Sequence, residues 1–185
     1  AGPSAWIVTL VLDGLTIGPT YHYRLVASNA FGTVYGADQT FNVSLQAAVR
    51  AGPFINAANG HAYYLLNPST WTASEAEARW LGGHLVTIND AAENEWVLNT
   101  LFPLGAPDAS LWIGVDDAAN EGQFVCASGE PVTFTYWYPG EPNNLGGEDY
   151  AAIRNPSQAP PTGSWNDTDG LNRALAQTFG VVEVP

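Results

Sequence analysis

The pattern of apolar and polar positions changes near residue 50. The first part of the chain, residues 1–45, has short β-branched and aromatic runs separated by Gly, Pro and Asn, which is typical of strands joined by tight turns. Three strands are too few to close a sandwich, so this part is predicted to be an incomplete all-β segment. The predicted strands are Val8–Leu12, Tyr21–Ser28 and Thr40–Val43.

Residues 46–53, which end in Ala-Gly-Pro, predict a linker, and residues 54–185 form a second pattern that begins with helices. The sequence from Thr72 to Glu75 is a capping box that predicts a helix ending at Gly82-Gly83. Asp90-Ala91-Ala92-Glu93 predicts the start of a second helix, which ends near Pro103.

After the second helix the chain alternates between apolar runs and loops rich in Asn, Gly, Pro and Asp. Helices early and an antiparallel sheet late predict an α+β domain. Two loops, 139–149 and 155–169, are longer than ordinary connections and are therefore expected to be functional. The strands predicted in this domain are Tyr63–Leu66, Leu85–Ile88, Leu111–Val115, Gly122–Cys126, Val132–Trp137, Tyr150–Ile153 and Phe179–Val184.

The net charge of the chain limits the classes of molecule that it is expected to bind. The 185 residues carry 18 acids and five bases, for a net charge of −13. This balance argues against nucleic acid and anionic membrane surfaces and suits a cation-binding protein. No apolar stretch is long enough to span a membrane, and no signal segment opens the chain. The absence of Met predicts a processed or excised piece of a longer protein.

Catalytic chemistry finds little support. The single cysteine, Cys126, allows no intramolecular disulfide, and its apolar neighbours predict a buried thiol rather than a nucleophile. His84 follows a helix-ending glycine and is expected to pack or cap. No serine lies in a Gly-x-Ser-x-Gly elbow. A glycosidase that uses two of the acids as acid and base is the weakest alternative.

The two long loops, and the turn after the predicted strand Leu111–Val115, contain most of the side chains whose oxygen atoms could bind a cation. Carboxylates and amides without Cys or nearby His suit a hard cation such as Ca²⁺ and argue against zinc or copper. From composition alone, a solvated acidic loop explains the pattern equally well. The loop residues in question are Glu141, Asn143, Asn144, Glu148, Asp149, Asn166, Asp167 and Asp169.

The order of three motifs resembles the calcium and sugar site of a C-type lectin-like domain. These motifs are Glu141-Pro142-Asn143, Gly147-Glu148-Asp149 and Trp165-Asn166-Asp167, preceded by Leu111-Trp112-Ile113-Gly114. The resemblance covers residues 54–185 and implies the C-type lectin-like fold, with two helices, antiparallel sheets and long calcium-binding loops. This chain differs from the family at about the positions where paired half-cystines are usual. The residues there are Ala78, Tyr150, Gly170 and Val182.

The resemblance implies a primary calcium site that also binds the sugar. Its ligands would be Glu141, Asn143, Glu148, Asn166 and Asp167. It also implies an auxiliary calcium site, formed by Asp117, Glu121, Asn144 and Asp149 together with Glu148. A solvated acidic turn explains the same residues equally well. Tyr138 is a candidate sugar contact, and the Glu141–Pro142 peptide is expected to be cis with calcium bound.

The N-terminal segment carries a second resemblance. Residues 15–32 resemble the second half of a fibronectin type III domain, with Tyr21 as its tyrosine corner. The four strands that open such a domain have no counterpart here. Together the two resemblances imply a domain order of 1–45 for the partial fibronectin-like segment, 46–53 for the linker and 54–185 for the lectin-like domain.

The implied function is a non-enzymatic, calcium-dependent carbohydrate-binding module of an adhesion or recognition protein. Glu-Pro-Asn implies mannose-type glycans, namely mannose, fucose, glucose or N-acetylglucosamine. Such sites are shallow, so useful affinity is expected to need multivalency within a larger secreted or cell-surface protein. The main alternative is a protein-interaction or display scaffold of the same fold that binds no sugar.

Overall fold

The computed structural model describes residues 15, 19–42, 48–106, 108–155, 160–171 and 177–185. The chain divides into two compact units, Ala1–Val43 and Ser44–Pro185. The predicted strand Val8–Leu12 lies outside the described residues. The assignment of the domains to particular functions stays a prediction.

In the smaller unit the described residues form two antiparallel pairs. Strand β1 (Thr20–Tyr23) pairs with β4 (Gln39–Asn42), and β2 (Val26–Asn29) pairs with β3 (Gly32–Tyr35). The single strand predicted at 21–28 is therefore wrong, because the strand is interrupted at residues 24 and 25. The likeness to a fibronectin type III domain remains a prediction.

The described part of the larger unit contains two helices and eight strands. It follows the order strand, strand, helix, strand, helix and then five strands. The helices are α1 (Trp71–Trp80) and α2 (Ala91–Leu101), and a 3₁₀ turn at Phe102–Leu104 ends α2. The strands are β5 (Val49–Ile55), β6 (Ala62–Pro68), β7 (His84–Leu85), β8 (Ser110–Asp116), β9 (Val125–Cys126), β10 (Tyr150–Ile153), β11 (Trp165–Thr168) and β12 (Thr178–Val184).

These eight strands form one sheet in the order β11-β10-β8-β12-β6-β5, with β7 beside β12 and β9 beside β8. The β8–β12 pair is parallel, so the sheet is mixed, and the other described pairs of this sheet are antiparallel as predicted. The short β10 and β11 strands lie at one edge, where they hold the two long loops next to each other.

Several predicted boundaries need correction. Residues 49–53, assigned to a linker, belong to the edge strand β5, which pairs with β6 through shifts of register. Residues 132–137 do not form a strand and have only an isolated bridge at Trp137. Strands β7 and β9 are shorter than predicted. Part of the predicted loop 155–169 is strand β11.

The helix caps explain where the helices begin. The hydroxyl of Thr70, not Thr72, accepts the N–H of Ala73 at the start of α1 (3.2 Å). Glu75 turns away from the predicted capping box and accepts the N–H of Leu85 (2.9 Å). At α2 the prediction is confirmed, because Asp90 accepts the N–H of Glu93 (2.8 Å).

The core lies between the sheet and the helices and contains large aromatic side chains, including Trp112, Trp165 and Phe179. Ala78 and Val182 pack in the same buried cluster with Leu66. A unit of this size can bury enough apolar surface to be stable without disulfides. No helix in the described ranges is long and apolar enough to cross a membrane.

Candidate functional site

The two long loops meet because Trp137 and Trp165 lie side by side in a parallel bridge. The N–H of Tyr138 donates to the carbonyl of Trp165 (2.8 Å), and the N–H of Trp165 donates to the carbonyl of Tyr136 (2.7 Å). The rings of the two tryptophans pack edge to face with centroids 5.7 Å apart. This bridge sets the Glu141-Pro142-Asn143 turn beside the end of β11.

Asp167 fixes the turn from the other side. Its two carboxylate oxygens accept the backbone N–H groups of Asn143 (3.2 Å) and Asn144 (2.8 Å). The Glu141–Pro142 peptide bond is cis, and its geometry with calcium bound stays a prediction. Asp167 is almost completely buried, and β10 holds it through pairing with Ala151.

The loop from Asn143 to Glu148 folds on its own side chains. The amide oxygen of Asn143 accepts the N–H of Leu145 (2.8 Å), and that of Asn144 accepts the N–H of Glu148 (2.8 Å). Asn144 has a positive φ of 49°, which Asn tolerates better than most residues. These bonds hold the carbonyl and carboxylate oxygens of the loop within one turn.

The three acids of the predicted primary site affect one another. Burial, followed by the nearby Asp167 and Glu148 carboxylates, raises the pKa of the Glu141 carboxyl, and Arg154 partly opposes this shift. Burial first, and then the charges of Asp167 and Asp169, raise the pKa of Glu148. Like-charge crowding of this kind disfavours the ionised state until a cation neutralises it.

One oxygen of the site has no partner. Glu141 Oε2 is buried and accepts no hydrogen bond from the described residues. Asn166 lies one residue before Asp167 on β11, and its amide donates to the Asp167 carbonyl. Hydrogen bonds join Asn143 and Asn166 to Asp167, and the assignment of Glu141, Asn143, Glu148, Asn166 and Asp167 to one calcium site stays a prediction.

Sequence analysis did not single out Arg154. Its guanidinium carbon lies 3.6 Å from the centroid of the Tyr138 ring, so one face of that ring is covered. Its Nη1 is buried and has no partner within the described residues. A lone Arg at the end of a strand gives no local signal in the sequence, because only the fold brings it under Tyr138.

The predicted auxiliary group lies where β8 ends. The buried Asp117 donates its N–H to the carbonyl of Asp149 (3.0 Å), and its Oδ2 accepts the N–H of Gly122 (2.8 Å). Its other oxygen, Oδ1, is buried without a partner among the described residues. Loss of hydration, and then the charges of Asp117 and Asp149, raise the pKa of the Glu121 carboxyl.

Asp116 is a further acid of this region that sequence analysis missed. Burial is the main cause of its raised pKa, and the charges of Asp117, Glu75 and Asp149 add to it. Asn144, which is predicted to belong to the auxiliary group, lies in the same loop as Asn143 and Glu148 of the predicted primary site, and its side chain accepts the N–H of Glu148.

The oxygen donors of the two predicted groups match a hard cation in chemistry but not in placement. Carboxylate and amide oxygens are the ligands of calcium, and the unpartnered oxygens of Glu141 and Asp117 fit that chemistry. Within the described ranges, however, no three His, Cys, Asp or Glu side chains are placed closely enough to hold a metal ion on their own. A cation in the primary group would therefore need the amide oxygens and a rearrangement of the acids.

Other predicted roles are resolved more simply. Cys126 is a free, buried cysteine, and burial raises the pKa of its thiol, which is the behaviour of a structural residue. His84 Nδ1 lies 2.8 Å from a Glu75 oxygen and packs at the start of β7. Trp71 and Trp112 are buried and donate to main-chain carbonyls, as expected of core residues.

Comparison with known proteins agrees with this geometry. The model of the Lectin C-type domain family matches residues 67–175. The chain is 40% identical over 91 residues to the mannose-binding protein of Gallus gallus, covering 49% of this chain and 32% of that protein. It is 33% identical over 124 residues to the alpha-N-acetylgalactosamine-specific lectin of Patiria pectinifera, covering 64% of this chain and 72% of that one.

The fold agrees as well. The crystal structure of the C-type lectin CEL-I from Cucumaria echinata aligns with a TM-score of 0.57 and 31% identity, over 66% of this chain and 89% of that one. The chain spans only about a third of the length of the Gallus gallus protein (32%). The C-type lectin domain is a non-enzymatic carbohydrate-binding module. By the match of the family model and the shared fold, the chain belongs to the C-type lectin domain family.

Proposed function

We propose that residues 54–185 form a calcium-dependent lectin domain that binds mannose-type glycans. The observation that carries the proposal is the turn at Glu141–Asn143, fixed on Asp167 with the Glu141 oxygen Oε2 buried and without a described partner. The proposed calcium ligands are Glu141, Asn143, Glu148, Asn166 and Asp167. The family match and the relatives named for mannose and N-acetylgalactosamine support carbohydrate as the ligand class.

The residues of the turn explain why a cation and a sugar would share one site. Three carboxylates and two amides leave one net negative charge around Ca²⁺, which would supply open coordination positions for two sugar hydroxyls. Glu141 can only accept hydrogen bonds, whereas Asn143 can both donate and accept. The pair therefore imposes a direction on each hydroxyl that lies between them.

An auxiliary calcium at Asp117, Glu121, Asn144 and Asp149, with Glu148 shared, is the second part of the proposal. The unpartnered Oδ1 of Asp117 and the charge crowding on Glu121 support it. This ion would brace the base of the loop and would not contact the sugar. The alternative for the same residues is a hydrated acidic turn.

The wider role follows from the family. Relatives such as the mannose-binding protein of Gallus gallus are longer proteins, and this chain corresponds to a part of them. We infer a glycan-recognition or adhesion module that acts outside the cell, with a fibronectin type III-like neighbour in residues 1–45. Because a single shallow site binds weakly, function would depend on several copies acting together.

A calcium titration followed by a glycan array tests the proposal. Calcium should raise the melting temperature, and the chain should bind mannose-, fucose-, glucose- or N-acetylglucosamine-terminated glycans only in calcium. Calcium binding without retention of any glycan would favour the protein-interaction scaffold. An identical melting curve in calcium and in chelator would refute the calcium site itself.

A further inference from the structure

A groove lies between helix α2 and the segment that leads into the bridge at Trp137. Its volume is about 480 Å³, within the range of ~300–1,000 Å³ typical of small-ligand sites. None of the nine proposed calcium ligands lines it. Its lining includes Phe134, Tyr136, Asn94, Glu95, Asn99 and Thr162.

One wall of the groove is aromatic. The rings of Phe134 and Tyr136 lie nearly parallel, with centroids 6.4 Å apart and an interplanar angle of 26°. Tyr136 is 36% exposed, so part of its ring is open to solvent. Phe134 packs edge to face on the buried Trp165 at 5.8 Å, which anchors this wall to the core.

The side of the groove formed by α2 is mixed, with Ala91 and Leu98 as apolar lining residues and Glu95 and Asn99 as polar ones. Glu95 and Asn99 are four residues apart on α2 and therefore lie on the same exposed face of the helix. Neither side chain makes a hydrogen bond or ion pair with another residue in the described ranges. The carboxylate and amide are thus open to a ligand that both donates and accepts hydrogen bonds.

The floor of the groove is fixed by a buried amide. Asn94 is 5% exposed, and its Nδ2 donates to the Gly163 carbonyl (3.1 Å) while its Oδ1 accepts the indole N–H of Trp165 (2.8 Å). An amide has two N–H donors and two acceptor lone pairs, so these two bonds leave one of each unused.

We propose that this groove is a second carbohydrate site, independent of calcium, that binds a neutral saccharide. A pyranose ring has an apolar face that can lie on Tyr136 and a rim of hydroxyls that Asn94, Glu95 and Asn99 can bond. The net charge of −13 disfavours anionic ligands such as nucleic acid or phospholipid headgroups. Two amides and one carboxylate in the lining can bond hydroxyls, while Ala91, Leu98 and the two aromatic rings supply apolar surface for the face of the sugar ring.

The test uses the whole chain in chelator, with mannotriose, chitotriose and maltotriose as probes at up to 20 mM. NMR spectra should show saturable shifts of the Glu95 and Asn99 backbone amides with at least one probe. Tyr136→Ala should weaken that binding at least fivefold, and Glu95→Gln should weaken it less. Trp80→Ala, which removes an exposed aromatic on α1, is the matched control and should leave binding unchanged.

Three outcomes overturn the proposal. Either none of the three trisaccharides shifts these amides, or the shifts persist unchanged in Tyr136→Ala while that variant keeps the wild-type fold by circular dichroism. Shifts that appear with an apolar dye but not with any saccharide also overturn it. Because the experiment is done in chelator, it is separate from the proposed calcium site, whose failure would appear only in calcium.

Discussion

The ring of Tyr150 occupies the space that a side chain at Gly170 would need. A Cβ at Gly170 would lie 2.4 Å from Tyr150 Cδ2, and Gly170 has a φ of +72°. The same ring packs on Trp71 at 4.8 Å, and the N–H of Trp71 donates to the Gly170 carbonyl (2.9 Å). At two positions where the family usually carries half-cystines, this chain has an aromatic ring packed on a glycine.

We therefore expect Gly170→Ala to lower the free energy of unfolding by about 2–5 kcal/mol, through a positive-φ penalty of ~1–2 kcal/mol and an overpacking penalty of ~1–3 kcal/mol. Gly60→Ala is the matched control, because Gly60 also has a positive φ (+81°) but has no atom within 4 Å of a Cβ. Urea unfolding should show the smaller backbone penalty alone for Gly60→Ala. Equal losses in the two variants would mean that the Tyr150 contact contributes nothing.

Calcium should stabilise residues 139–169 more than the rest of the larger unit. In its absence the acids repel one another, and in its presence their charges are neutralised. We expect an affinity of ~10⁻⁴–10⁻³ M, and excess calcium should raise the melting temperature by mass action. Hydrogen exchange in calcium and in chelator would locate the effect, which should be greatest in these residues.

Removing one ligand of the primary site should reduce the response to calcium. Glu141→Gln keeps the size of the side chain but loses a charge, so the calcium-induced rise in melting temperature should fall to the part that the auxiliary group supplies. Asp108→Asn removes an equal charge from an exposed position outside the loops and should keep the wild-type rise. If Glu141→Gln responds to calcium as the wild type does, Glu141 is not a ligand.

The pH dependence of stability should report on Glu93. This buried carboxylate accepts the Tyr63 hydroxyl and the N–H of Asn89, and the same hydroxyl lies 2.8 Å from a Glu183 oxygen. Burial is the main cause that raises the pKa of Glu93 above its ordinary value of 4.5. The folded state therefore keeps the proton to higher pH than the unfolded state.

The stability that Glu93 contributes is accordingly full below pH 4.5 and is lost as the pH rises through its folded-state pKa. Glu93→Gln should flatten the decline of the unfolding free energy above pH 4.5, by at most about 1.4 kcal/mol for each pH unit. Glu95→Gln, an exposed change on the same helix, should leave the slope unchanged. Urea titrations from pH 4.5 to 7 would measure both slopes, and an unchanged slope in Glu93→Gln would contradict the assignment.

Elements with strong local signals were predictable from the sequence. Helix α2 begins at the predicted Asp90 cap, and strand β10 has its predicted bounds, because each depends on a local cap or a short apolar run. The cap of helix α1 is Thr70, two residues before the predicted Thr72, and Glu75 bonds with Leu85 across the fold instead of with its own helix start. Strand β5 was missed because Gly52-Pro53 is typical of a turn, and only its pairing with β6 makes it a strand.

In the candidate site, too, the sequence predicts what depends on local order and misses what depends on contacts between distant segments. Chain order was enough to select Glu141, Asn143 and Asp167, and in the structure the Asp167 carboxylate accepts the N–H groups of Asn143 and Asn144, next to Glu141 in the chain. The Trp165–Thr168 strand was missed because its polar residues do not alternate with apolar ones. The position of Arg154 under Tyr138 depends on sheet pairing between distant segments, which no local pattern reveals.

The last prediction concerns sugar preference. In the family that this chain resembles, Glu-Pro-Asn accompanies mannose-type sugars and the Gln-Pro-Asp order accompanies galactose. The physical reason is that exchanging the carboxylate and the amide across Pro142 reverses the hydrogen-bond direction presented to two neighbouring hydroxyls. The wild-type chain should therefore prefer mannose to galactose, and the double change Glu141→Gln with Asn143→Asp should reverse that preference.

A misdirected hydrogen bond beside a charge should cost about 1.5–3 kcal/mol, which corresponds to about tenfold or more in affinity. Competition by mannose and galactose for an immobilised glycan, in calcium, would measure the ratio for both proteins. The double variant keeps the charge of the site, so its calcium-induced rise in melting temperature is the control and should remain. If the wild-type chain binds galactose more strongly than mannose, and chelator abolishes that binding, the calcium site stands but the hydrogen-bond directions inferred for Glu141 and Asn143 are wrong.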